Sequence, residues 1–315
     1  MPAITGSAPG KVILCGEHAV VYGQPAIALP VMGVETRCVI LAKPNNLHNE
    51  VVINDPGIGL KCSLEGLNPN NPLRKTVALT LSALSLDHLP SCELRIHSTI
   101  PIGGGLGSSA SVSVAIARAV SAFVGHPLEN ESINDIAFEV EKLHHSTPSG
   151  IDNSVITYSK PLYYIKGTPS EWLEIKKPVS FLVANTGIKG STRNAVNMVR
   201  ENWQASPDIY ELIFKEIGEI SRMMRSAFMS GLEMKIGELM TQNHALLQRL
   251  GVSLSQLDRL VESSISAGAF GAKLSGGGLG GNVIVLSPID QVDSVTSALL
   301  SAGAVNVISA QIGTK

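Results

Sequence analysis

The chain has 315 residues, 44% hydrophobic and 16% charged, with 24 Lys and Arg against 26 Asp and Glu for a net charge of −2. That length predicts about two domains, and the near-neutral balance leaves no electrostatic footprint for nucleic acid. No apolar run approaches the ~20 residues that cross a bilayer, and the opening MPAITGSAPGK lacks the basic and apolar regions of a signal peptide, so a cytoplasmic protein with a small-molecule partner and no membrane association is expected.

Taken in chain order, KVILC (11–15) reads as a strand and 74–87 as a helix. CELRIHSTI (92–100) alternates, which predicts a half-buried strand with Leu94, Ile96 and Ile100 inward and Glu93, Arg95 and His97 outward. Beyond the glycines of PIGGGLGSSAS, Val112, Ile116, Ala119, Val120 and Phe123 recur at helical spacing, and the intervening faces are also small or apolar, so this helix should be buried nearly all round. A further helix is expected at 131–145, then a composition break at KGTPSEWLEIKKP (166–178). After it come a strand at VSFLVA (179–184), helices at 193–203, 208–228 and 231–250, and a strand at NVIVL (282–286). The mixture predicts an α+β architecture divided near residues 170–180, with 1–172 and 173–315 as the two domains.

Cys15, Cys38, Cys62 and Cys92 form no CxxC pair and read as reduced thiols. There is no HExxH, and His144 and His145 are adjacent, so they would not share a face to hold a metal. The glycine run before the buried helix is more informative. The first four N–H groups of a helix lack intrahelical partners and sit at the positive end of its dipole, so an anion suits that position. GLGSSA (105–110) satisfies the bare dinucleotide pattern, but the acidic residue that should follow after ~20 positions falls in HPLENESIND, a turn and helix start. The second match, at 276–281, leads into a strand, and there is no GxxxxGK[ST]. Phosphate binding and a purely structural tight turn both remain open on these residues alone.

PGKVILCGEHAVVYG, PIGGGLGSSAS and GAKLSGGGLGG, in that order, resemble the three signature motifs of the GHMP kinase superfamily over essentially the whole chain. Within it, GEHAVVYG, EKLHHSTPSGIDNS and GSTR (190–193) most closely resemble the mevalonate kinase branch. The resemblance implies a two-domain GHMP kinase fold, its N-terminal domain ribosomal protein S5 domain 2-like with a left-handed βαβ crossover, its C-terminal domain ferredoxin-like, and an active site in the cleft between them. The implied reaction is ATP-dependent phosphorylation of the 5-hydroxyl of (R)-mevalonate in isoprenoid biosynthesis, with Mg²⁺ as cofactor and a homodimer as the assembly.

Such a kinase must neutralise phosphates, hold Mg²⁺ and orient a hydroxyl towards the γ-phosphate. By resemblance, Gly103, Gly104, Gly105, Leu106, Gly107, Ser108, Ser109 and Ala110 bind ATP, and Ser108, Ser109 and Glu141 lie near the metal. For Glu141 the plainer alternative is a solvated helix face. Asp152 is the implied general base and Lys11 the cation that lowers the hydroxyl's pKa and stabilises the transferring group. A carboxylate is a weak base for an alcohol, so Asp152 would act late in the transfer or mainly orient the hydroxyl; a surface ion pair with Lys11 is the plainer alternative. Glu17, His18 and Thr192 are the implied substrate contacts, with Arg193 added on charge alone. The chain departs from the family at Gly277, where alanine is usual, at Leu279 within the glycines, at Asn282 in place of cysteine, and at YSKPLYYIKG (158–167), which replaces a glycine pair. These departures bear on the exact substrate, so a kinase of another small alcohol (a sugar or pantoate) stays open, as does a GHMP-like protein that binds ligand without catalysis.

Overall fold

The computed structural model describes residues 3–44, 50–101, 104–144, 148–175 and 178–312. The chain runs β1 (Ile4–Cys15), a 3-10 turn at Ala19–Tyr22, β2 (Ala26–Ala42), β3 (Val51–Asp55), β4 (Leu60–Ser63), α1 (Pro72–Ala83), β5 (Cys92–Ser98), α2 (Ser108–Phe123), α3 (Asn130–His144), α4 (Ile151–Tyr158), β6 (Leu162–Tyr164) and β7 (Glu171–Trp172). There follow β8 (Val179–Asn185), α5 (Thr192–Ala205), α6 (Pro207–Ser230), α7 (Glu233–Arg249), α8 (Ser255–Ser266), β9 (Gly271–Ser275), β10 (Asn282–Leu286), α9 (Val292–Ser301) and β11 (Asn306–Ile312). This is the expected α+β class. Among the described residues no helix is long and apolar enough to cross a membrane. The chain forms two compact units, one of Met1–Gly10, Val34–Pro101 and Gly107–Ser159, the other of Lys11–Gly33, Ile102–Leu106 and Lys160–Lys315.

In the first unit the strands order as β4-β3-β5-β2. β3 runs parallel to β5, while Thr36–Ala42 of β2 pairs antiparallel with all of β5. α2 is buried nearly all round, as its sequence predicts: Val114, Ile116 and Val120 are fully covered and pack in one core with Val77 of α1, Ile133 and Ala137 of α3 and Ile40, Leu94 and Ile96 of the sheet. Each such aliphatic side chain contributes about 1.5–3 kcal/mol through burial. The lone charge on α2, Arg118, donates to the backbone at Ser7 O (2.7 Å) and Thr157 O (2.6 Å) and to Asn130 Oδ1 (3.2 Å). α1 begins where Asn71 caps Leu73 N–H at 3.0 Å ahead of Pro72, two residues before the expected start. Glu93 departs from the expected alternation. It is 6% exposed, because Lys43, Arg95 and Asn54 all bind its carboxylate, at 3.2, 3.0 and 2.9 Å, and these donors hold its pKa down at about 2.

In the second unit β11-β8-β10-β9 form an antiparallel sheet of ferredoxin-like order, and Ala26–Ala28 of β2 pair with β6. α6 starts at Pro207 with Asp208 in its first turn and stops at Gly231 in the left-handed region, φ 68°. α7 lies directly on β9: a Cβ built on Gly271 would sit 1.9 Å from Gly237 O. Only paired glycines permit this approach, which fixes where the side chains of β9 can reach.

Candidate active site

The glycine loop ends in a bare helix start. Gly105 (φ 76°) and Gly107 (φ 72°) are left-handed, and Gly107 caps α2 with no side-chain hydrogen bond, so the first N–H groups of the helix stay available to an anion. Leu106 is the anchor: its side chain is buried and its carbonyl accepts from Lys11 N–H at 2.9 Å. Gly104 and Ala110 are buried, Gly105 is exposed, and Ser108 and Ser109 are half-buried, whereas Gly103 and His145 lie outside the described residues. Ser109 Oγ donates to Glu141 Oε1 at 2.5 Å, and Glu141 on α3 is 4% exposed, so it is no solvated helix face. Of the two serines the structure brings Ser109 to Glu141. A helix starts directly after Gly150 (φ 84°), placing half-buried Asp152 in the first turn of α4. Asn153 holds this helix to α3 by donating to Asn134 Oδ1 at 2.8 Å. Lys11, 6% exposed, belongs to the other unit and is no surface lysine.

Around His18 the backbone is strained. With φ 59° and ψ −50°, and Ala19 N–H donating to Glu17 O at 2.6 Å, residues 17–19 close a γ-turn of positive φ, a rare conformation for a residue with a Cβ. The imidazole Nε2 lies 3.0 Å from Gly277 O. A carbonyl only accepts, so Nε2 carries the proton and Nδ1 keeps its lone pair. Burial drives the His18 pKa down to about 4, with the Lys273 charge adding to the effect and the Gly277 contact opposing it. Unfolded His18 binds a proton near 6.5 and the folded one does not until about 4, so this contribution to stability is present above pH 6.5 and is lost as pH falls through that window, at up to ~1.4 kcal/mol per unit. Thermal unfolding measured from pH 7 to 5 should therefore show a shallower loss in His18→Gln than in the native protein. The residual slope comes in part from His244, whose pKa is lowered in the same direction by burial.

Glu17, expected at the substrate, is itself buried and held from below. It forms an ion pair with Lys273 Nζ and accepts from Asn243 Nδ2 at 3.3 Å. Lys273, on β9 and fully buried, also donates to Leu274 O at 2.6 Å, while Leu274 N–H donates to His244 Nδ1 at 3.3 Å. Ser275 exchanges hydrogen bonds with both Ile13 N–H and Ile13 O, at 3.1 and 3.0 Å. Lys273, Asn243 and Ser275 were not singled out from the sequence. The available signal was one lysine inside the otherwise uncharged strand GAKLS.

Thr192 opens α5, exposed, behind an N-cap in which Ser191 Oγ accepts from Asn194 N–H at 3.3 Å; Arg193 beside it is exposed too. Gly277 explains its own departure from the family pattern: a Cβ there would lie 2.8 Å from Thr192 Cα and 2.9 Å from Thr192 Oγ1. The alanine usual at this position would displace the start of α5. Gly277→Ala should therefore overpack the start of α5 at a cost of about 1–3 kcal/mol, a drop of several degrees in melting temperature that thermal unfolding of the two proteins reads.

Residues 71–160 match the family described as GHMP kinases N terminal domain, and residues 224–305 match GHMP kinases C terminal. The chain belongs to the GHMP kinase family. Among its relatives, the mevalonate kinase of Pyrococcus horikoshii is 36% identical over 319 aligned positions, covering 95% of this chain and 93% of the relative. Two solved structures share the fold at 29% identity. The L. major mevalonate kinase in complex with R-mevalonate has a TM-score of 0.84 over 99% of this chain and 96% of its own. The Methanococcus jannaschii mevalonate kinase has a TM-score of 0.85 over 100% and 99%.

Proposed function

We propose that this chain transfers the γ-phosphoryl group of ATP to the 5-hydroxyl of (R)-mevalonate, giving 5-phosphomevalonate for isoprenoid biosynthesis. The observation that carries this reading is the end-to-end likeness to mevalonate kinases, 36% identity over 95% of the chain. The loop from Gly103 to Ala110 and the N-terminus of α2 cradle the phosphates through backbone N–H groups. Mg²⁺ fits the donor set at Ser109 and Glu141, two hard oxygens side by side, with Ser108 adjacent in sequence. Among the described residues no cluster of three or more His, Cys, Asp or Glu could hold a metal, which suits an ion coordinated chiefly by phosphate and water. When bound, the ion would neutralise phosphate charge.

Asp152 takes the proton of the 5-hydroxyl at its carboxylate and orients that oxygen, and Lys11 stabilises charge on the transferring group. His18 Nδ1 accepts a hydrogen bond from a substrate hydroxyl, Thr192 and the start of α5 receive the substrate's polar groups, and Glu17 acts through His18 by holding the turn at 17–19. The proposal includes the division of the chain at 172/173, supported by family matches that fall on either side of it, a homodimeric assembly and a cytoplasmic location. ADP release from Mg-ATP by the purified protein tests the reaction with mevalonate, phosphomevalonate, pantoate, homoserine and galactose as acceptors. Turnover with mevalonate is expected, and turnover with another acceptor but not with mevalonate would overturn the substrate assignment.

A further inference from the structure

Asn282 opens β10, is 1% exposed, and faces two ways. Its Nδ2 donates to the carbonyl of Gly104 in the glycine loop. Its Oδ1 accepts from Asn185 Nδ2 at 2.8 Å, across the β10–β8 register that pairs the two residues. Asn185 Oδ1 in turn accepts from Gly187 N–H at 2.7 Å. Two carboxamides thus form one directional chain from Gly187 to Gly104, with the Oδ1 and Nδ2 of each engaged. The segment beyond Asn185 is laced to the same glycine run. Thr186 donates to Gly281 O through both N–H and Oγ1, at 2.9 and 2.8 Å, and Gly281 N–H donates to Ile188 O at 2.8 Å. That segment leads directly to Thr192. A thiol at 282, with one weak donor and a shorter reach, could not bridge Gly104 and Asn185 together.

We infer that Asn282 and Asn185 are positioning residues that couple the glycine loop to the segment carrying Thr192, so that a nucleotide on one and the alcohol substrate on the other bind more tightly together than apart. A fully satisfied polar network in a low-dielectric interior is a stiff link, and the coupling it transmits must be equal in both directions. The inference rests on the proposed function, in which the loop binds ATP phosphates and Thr192 faces the substrate.

The test is calorimetric titration of the whole protein with Mg²⁺ and a non-hydrolysable ATP analogue, without and with saturating mevalonate. In the native protein mevalonate should tighten analogue binding about tenfold, within the range common for coupled sites. In Asn282→Cys the enhancement should fall below twofold. Asn185→Asp, half-buried and keeping its acceptor for Gly187 while losing the donor to Asn282, should do the same, and the double variant should lose no more than either single one. A purely structural role would lower the melting temperature and leave the enhancement intact. Full enhancement in either folded variant, or none in the native protein that still binds both ligands, would overturn the coupling alone. Failure of the native protein to bind the analogue or mevalonate would overturn the functional reading and the coupling with it.

Discussion

Asp152→Ala should lower kcat by about 10²–10⁴ while leaving the dissociation constant for Mg-ATP within a few-fold of the native value. The fold supports so clean a separation. Asp152 sits in the first turn of α4, and that helix is fixed by residues other than Asp152: Ile151, Val155 and Ile156 are buried, and Asn153 is tied to Asn134. Removing the carboxylate costs the favourable interaction of an anion with the helix N-terminus, about 0.3–1 kcal/mol, so the variant should fold. Single-turnover phosphorylation together with analogue titration separates binding from chemistry. Activity within a few-fold of native would remove Asp152 from the reaction, and a matching loss of nucleotide affinity would move it to the phosphate site.

The second large effect concerns stability. Lys273→Met keeps the length of the side chain and deletes its charge, stranding the Glu17 carboxylate in a buried site where the neutral Asn243 amide still donates to it. Breaking one side of a buried ion pair costs roughly 3–5 kcal/mol, because the other charge is left uncompensated. For a chain of this size that corresponds to a drop in melting temperature of order 10 °C. Glu17→Gln combined with Lys273→Met removes both charges and should recover most of the loss. If the double variant proves less stable than Lys273→Met alone, the pair is not what the lysine supports. Under the proposed function, in which Glu17 holds the turn carrying His18, the single variant should also lose activity beyond its loss of folded protein.

Local pattern was enough to read α2, with glycines ahead of a nearly all-apolar helix, and also α6, whose proline start and glycine stop flank a periodic stretch. The glycine turn that opens onto the uncapped start of α2 was legible in the same way, because its residues are contiguous. Local pattern failed where the deciding partner is distant. Lys273 finds Glu17 at a separation of 256 positions, and nothing near a lone strand lysine distinguishes an ion pair in the interior from a solvated edge. Glu93 was assigned outward by alternation, yet three donors from β2's end, β3 and β5 make its burial favourable. The 17-residue β2 went unread because Pro30 and Gly33 interrupt its pattern, although pairing on both β5 and β6 sustains it.

The left-handed backbone at His18 has a bearing on how such a site can change over generations. A glycine there would relax the turn and make the chain more robust, at the loss of the imidazole. With His18 contacting the substrate as proposed, drift towards sturdier sequences and selection for turnover pull in opposite directions at one position. Stabilising changes elsewhere in the fold widen the tolerance for the strained histidine, and they can accumulate long before any change in the acceptor the enzyme prefers.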